Sequence, residues 1–289
     1  MGASEPLNAL TVDVEDWYHV AAFADRIDPT GWDRFVPRVD RNTRRLLELF
    51  AARGAKATFF VLGWVAERQQ ELVREIARAG HEVACHGWSH QLVYGQERAT
   101  FRSETRRSKA LLEDLIGQPV PGYRAASYSI TAASLWALDE LAEAGFEYDS
   151  SIFPVRHDRY GIPDGERWPH RLTTPSGARL VEFPLSTARI AGVNLPVAGG
   201  GYFRLYPYAL TRAGLQSVNR EGGPFVFYMH PWEIDPGQPR IAASLRSRFR
   251  HYTGLAGCEA KLQRLLADFR FGTCREVLET RGLLTAQAA

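Results

Sequence analysis

Residues 39–62, VDRNTRRLLELFAARGAKATFFVL, hold the pattern that decides the fold. Val39, Thr43, Leu46, Leu47 and Phe50 recur at helical spacing and share one face. Gly54 fits the left-handed stop that commonly ends a helix. Residues 56–62 then read as a strand that is nearly all apolar. A helix with one apolar face, followed by a strand apolar on both, is one unit of a parallel sheet covered by helices. The unit recurs: Leu72, Val73, Ile76 and Ala77 lead through Gly80 to a strand over Glu82–Cys85. Leu135, Leu138, Leu141 and Ala142 lead through Gly145 to residues 146–152. Weaker copies pass through Gly117 to residues 122–126 and through Gly222 to residues 225–229. An opening strand over 9–14 and another over 179–185 bring the total to about seven. The expected fold is α/β, with a parallel (β/α) barrel or near-barrel favoured over an open sheet.

Outside that alternation the texture changes. Residues 154–201 are rich in Pro, Gly and Arg without helical periodicity, which predicts a hairpin- and loop-rich insertion. From Gly237 the chain is basic (Arg240, Arg246, Arg248, Arg250) and then helical around Leu262, Leu265, Leu266 and Phe269. We expect one domain over 1–289, with a core at about 7–235 and a C-terminal helical extension at about 236–289 packed on it. The net charge of +2, from 35 basic and 33 acidic residues, points to neither nucleic acid nor a membrane surface. Cys85, Cys258 and Cys274 lack CxxC spacing, so no disulfide framework is expected. Met1 to Leu10 lacks the pattern of a secretory signal, and no apolar run approaches the roughly 18 residues a bilayer requires. The expectation is a cytoplasmic protein with no transmembrane segment.

In a parallel barrel, chemistry sits where strands end and loops enter the helices. Here the first strand runs into Asp13, Glu15 and Asp16, the third into His86 and His90, the fourth into Arg124, the fifth into Asp149, and the late strand into His230. His86 and His90, four apart, can present two imidazoles to one ion, and a carboxylate from a neighbouring strand completes a set suited to a divalent metal. Three clustered carboxylates repel one another unless a cation or an arginine offsets them. Arg124 on the same rim is a partner for Asp13. His230, fixed by Pro231 and beside Trp232, suits a general acid. Cys85 should point away from His86 into the core.

These residues resemble those of the NodB-type polysaccharide deacetylase family, in order along most of the chain. The likeness is closest to the subgroup associated with exosortase and exopolysaccharide gene loci. It rests on Asp13 to Val20, Pro196 to Arg204, His230 to Asp235 and Arg248 to Tyr252. It implies a distorted barrel, zinc or a similar divalent ion, and removal of N-acetyl groups from amino sugars. By this likeness Asp13 is the base, His86 and His90 are metal ligands, Arg124 holds the base, His230 is the acid, and Asp149 tunes it. The family usually has two adjacent aspartates in its first motif, but Val14 follows Asp13 here. The third ligand is therefore Asp16, with Glu15 as the alternative. A carbohydrate partner makes Trp17, Trp88, Tyr202 and Trp232 candidates for stacking on sugar rings, with Tyr128 beside them at the acyl group. A cyclic-amide or ureide hydrolase on the same fold and a non-catalytic carbohydrate-binding protein are the competing expectations.

Overall fold

The computed structural model describes residues 5–286. Eleven strands are present among them: β1 (Asn8–Val14), β2 (Thr58–Val61), β3 (Glu82–Cys85), β4 (Gly122–Tyr123), β5 (Tyr148–Asp149), β6 (His170–Thr173), β7 (Arg179–Glu182), β8 (Thr187–Ile190), β9 (Val193–Pro196), β10 (Val226–Met229) and β11 (Phe271–Gly272). The main sheet runs β10-β1-β2-β3-β4-β5-β7-β6, and every neighbouring pair from β10 to β7 is parallel. These seven parallel strands are the expected barrel. No ladder joins β7 to β10. The seam carries a bond from the Val226 amide to Ser186 Oγ at 2.8 Å and an isolated parallel bridge between Gly199 and Tyr228.

The founding segment folds as its pattern predicts. The helix Val39–Ala51 buries Val39, Thr43, Leu46 and Phe50, and Leu47 packs against the core while half-buried. Full burial of side chains such as Leu46 and Phe50 stabilises by about 1.5–3 kcal/mol each. Gly54 then takes a φ of +61°, which costs a residue without a Cβ little.

Alternation along the strands sorts the two faces. Leu10, Val12 and Val14 face outward into the large core beneath the helices, with Phe59, Val61 and Cys85. Ala9, Phe60, Ala84, Tyr148, Val181 and Tyr228 form a second, interior core. Asp13 lies on that interior face, one pleat beyond Thr11.

The insertion forms two hairpins. β6 pairs antiparallel with β7 at the sheet edge, and β8 pairs with β9. The C-terminal segment folds into the helices Leu245–Tyr252, Leu255–Asp268 and Cys274–Thr280. Between the last two, β11 pairs in parallel with β1, a strand the sequence pattern does not announce. The Cys274 amide donates to Thr58 Oγ1 at 2.7 Å, so the last helix seats at the amino end of β2, opposite the rim that carries the polar clusters. Among the described residues, no helix is long and apolar enough to cross a membrane.

Candidate active site

At the carboxyl end of the barrel lies a cavity of 310 Å³. Asp13, Glu15, His86, His90, Tyr128, Tyr202, His230 and Trp232 all line it. A larger groove of 760 Å³ adjoins it, sharing His90, Val20 and Arg250 as walls.

One side is built around Arg124. Its guanidinium is fully buried and donates to Asp13 Oδ1 and to Thr11 Oγ1, each at 2.7 Å. The same group bonds the Ser150 carbonyl at 3.1 Å and Ser150 Oγ at 3.0 Å. It also lies over the Phe60 ring, 4.0 Å from the centroid. Burial opposes its charge, but Asp13 more than offsets that and raises its pKa. The second oxygen of Asp13 accepts from Tyr128 OH at 3.4 Å and lies 3.9 Å from His230 Nε2. Ser127 and Tyr128 hold φ values of +51° and +56°, and His90 holds +52°. Left-handed backbone in residues with a Cβ concentrates at functional sites.

The centre brings together Glu15, His86 and His90, whose donor atoms all lie within 4.8 Å of one another. His86 Nδ1 contacts the Arg124 carbonyl at 2.8 Å, so that nitrogen carries the proton and Nε2 keeps its lone pair. Burial drops the His86 pKa to about 4. Glu15 Oε2 sits 2.6 Å from His90 Nε2. Burial pushes the Glu15 carboxyl up, but His90, His230 and His86 together hold it well below the usual range. Trp232 Nε1 donates to Glu15 Oε1 at 3.2 Å.

The other side is His230. Its ring stacks on Trp232 at 5.1 Å, and its Nε2 lies 3.6 Å from Glu15 Oε1. Glu233 Oε2 accepts from the His230 amide at 3.0 Å and faces its Nδ1 at 3.2 Å. Burial alone would lower the His230 pKa, but Glu233, Glu15 and Asp13 raise it to about 9.

Several expected members are elsewhere. Asp16 does not join the histidines: its carboxylate accepts from the Arg38, Val39 and Trp17 amides at 2.6, 2.9 and 2.9 Å, capping the start of the helix Val39–Ala51. The carboxylate that does is Glu15. Asp149 is fully buried behind Arg124, accepting from Ser151 Oγ at 2.5 Å and hydrogen-bonded to Glu182, and it makes no contact with His230. The carboxylate on His230 is Glu233, which the motif reading passes over. Its signal is present, since Glu three residues after a strand-ending residue with Pro next is the pattern of a capped turn. Trp17 is core, edge-on to Tyr18 and Phe35 at 5.2 Å each. Trp88 lies under the Arg107 guanidinium, 3.4 Å from its centroid, outside the cavity.

Residues 30–148 match the family model for polysaccharide deacetylase. Over this stretch the chain is similar to polysaccharide deacetylases. Residues 150–279 match a second model, a domain of unknown function, DUF3473. The cavity is therefore shared: Asp13 and Glu15 precede the deacetylase match, His86, His90 and Arg124 lie inside it, and His230 comes from the second. The chain is 31% identical over 169 residues to a peptidoglycan deacetylase of Helicobacter pylori, covering 57% of this chain and 56% of that protein. It is also 31% identical over 100 residues to a chitooligosaccharide deacetylase of Bradyrhizobium, covering 35% and 43%. The chain thus spans about half the length of the curated relatives it matches. Among solved structures, a putative polysaccharide deacetylase from Mycobacterium smegmatis superposes with a TM-score of 0.66 at 23% identity, covering 100% of this chain and 96% of that one. That likeness shows the fold.

Proposed function

We propose that the chain is a metal-dependent hydrolase that removes N-acetyl groups from the amino sugars of a polysaccharide or its biosynthetic precursor. The observation that carries this reading is one arrangement. A carboxylate held by a buried arginine faces an imidazole held by a buried carboxylate, across a cluster of two histidines and a glutamate, inside one cavity.

The central cluster fits a divalent ion. His90 Nδ1 is buried with no hydrogen-bond partner, and Glu15 Oε2 has none beyond its contact with His90 Nε2, which is costly unless something else satisfies them. Two imidazoles and one carboxylate form a donor set that suits zinc and leaves positions open. Glu15, His86 and His90 would hold the ion, and Asp16 would not. When bound, such an ion supplies Lewis-acid polarisation of an acyl oxygen and makes water more acidic.

The chain's own residues do the rest. Asp13 takes the proton of the attacking water, and its partner Arg124 keeps it aimed. Burial and the Asp13 charge push the Tyr128 hydroxyl pKa well up, so it remains a donor at the cavity wall. His230, charged below about pH 9, hands a proton to the departing sugar nitrogen, a step typically worth about 10²–10⁴-fold. Tyr202 offers aromatic surface for a sugar ring, whereas Trp232, expected to do the same, is buried with one face on His230 and the other on His251.

Acetate release from a panel of N-acetyl sugars, with and without chelator, tests the reading. Release that stops on chelation and returns with zinc is expected. Opening of a cyclic ureide without acetate release from any sugar would overturn it. His86→Ala should abolish metal retention in elemental analysis, and full stoichiometry in that variant would place the ligands elsewhere.

A further inference from the structure

Arg204 lies in the segment Pro196 to Arg204, which drew notice in the sequence without receiving a role. Its residue is 4% exposed, at the end of the short helix Gly200–Leu205. A guanidinium so buried must satisfy its donors inside the protein. Nη1 donates to the His251 and Thr253 carbonyls, each at 2.7 Å, and Nη2 to the Arg250 carbonyl at 2.9 Å. Those are the unpaired carbonyls at the end of the helix Leu245–Tyr252, where the helix dipole favours a cation. The third nitrogen, Nε, donates to Glu233 Oε1 at 2.7 Å. Glu233, 1% exposed, turns its other oxygen to His230.

The backbone around Arg204 is tied down as well. Lys261 Nζ donates to the carbonyls of Phe203, Arg204 and Tyr206 at 3.1, 2.9 and 2.8 Å. Gly254, with φ at +79°, lets the chain pass so close that a Cβ there would sit 2.5 Å from the Arg204 carbonyl oxygen. The ring stack continues from His230 through Trp232 to His251, the latter pair 4.3 Å apart. The Arg204 guanidinium lies 5.2 Å from the centre of the Trp232 ring.

We propose that Arg204 is a positioning residue for acid catalysis: anchored on the end carbonyls of the helix Leu245–Tyr252, it fixes Glu233, which holds the Nδ1 side of His230 so that Nε2 faces the cavity. The inference rests on the deacetylase reading. In the step it serves, the carbon–nitrogen bond breaks, its electron pair stays on nitrogen, the His230 Nε2 proton joins that nitrogen, and the water oxygen leaves in acetate. A point-charged lysine cannot reach Glu233 and three carbonyls together.

The test compares two substrates. An N-acetyl sugar amide needs its leaving nitrogen protonated, whereas 4-nitrophenyl acetate expels a stable phenolate and does not. Glu233→Gln and Arg204→Lys should each lower kcat for the amide by about 10–100-fold with little change in KM, and alter ester hydrolysis by no more than about twofold. Because both act through His230, the double variant should lose little more than the worse single one. An equal fall for both substrates, or no fall for either, overturns the proposal. Imidazole ¹⁵N spectra supply a readout independent of turnover: the His230 Nδ1 signal of the wild-type protein should show a hydrogen-bonded N–H that both variants perturb. If the wild-type protein releases no acetate, the deacetylase reading fails, and the spectra still decide whether Arg204 orders His230. An unchanged His230 signal in a folded Arg204→Lys variant also sinks it.

Discussion

The two sides of the cavity are built by opposite means. Asp13 is held by contacts far apart in sequence, reaching Arg124 across 111 residues and Tyr128 across 115. His230 takes its carboxylate partner from three residues away, on the same turn. The first side exists only once the sheet has closed. The second is assembled locally and then fastened from outside by Arg204. Long-range construction gives a base set rigidly in the sheet, and local construction gives an acid whose precision depends on a remote clamp.

The sharpest test of that contrast is Asp13→Asn. It should lower amide and ester hydrolysis together by about 10³-fold or more while metal content is unchanged, because water must be activated for either substrate. A split between the substrates in this variant would erase the distinction from the acid side. Arg124→Met should next destabilise the fold by about 3–5 kcal/mol in chemical denaturation, since it leaves Asp13 buried without its arginine partner. A loss under about 1 kcal/mol would mean that the base side is not structurally rigid.

The smallest effect concerns the carboxyl pair behind Arg124. Burial pushes Asp149 up to about 6 and Glu182 further above its ordinary 4.5, so the folded chain keeps protons that the unfolded chain releases. Stability from this pair is full below the unfolded values and declines as pH rises through the folded ones. Glu182→Gln removes the proton uptake, so it should gain stability over the wild-type protein by on the order of 1 kcal/mol between about pH 5 and pH 8. A difference that does not change with pH would show that the pair is not protonated.

Much of this was legible in the residues. The helix–glycine–strand unit located β2, β3, β5 and β10 because a parallel strand buried on both faces leaves a dense apolar run. β11 escaped because it is two residues long and owes its existence to β1. For the site, the strand ends located Asp13, His86, His90 and His230 at one cavity, with Arg124 behind Asp13. The choice between Asp16 and Glu15 was readable from alternation, since Glu15 lies two residues beyond Asp13, but the adjacent-aspartate pattern of the family pulled the other way. The role of Asp149 was assigned by likeness alone. Arg204 could not be found from sequence, because its partners lie 29 and 46–49 residues away.

Ser127 and Tyr128 keep left-handed backbone side by side without being glycine. Each such residue costs about 1–2 kcal/mol. A chain selected only for thermal endurance would shed that cost by drifting to glycine, and the first thing to suffer would be the cavity wall rather than the barrel. Endurance and aim are therefore traded against each other at this one bend, and its side chains record which was favoured.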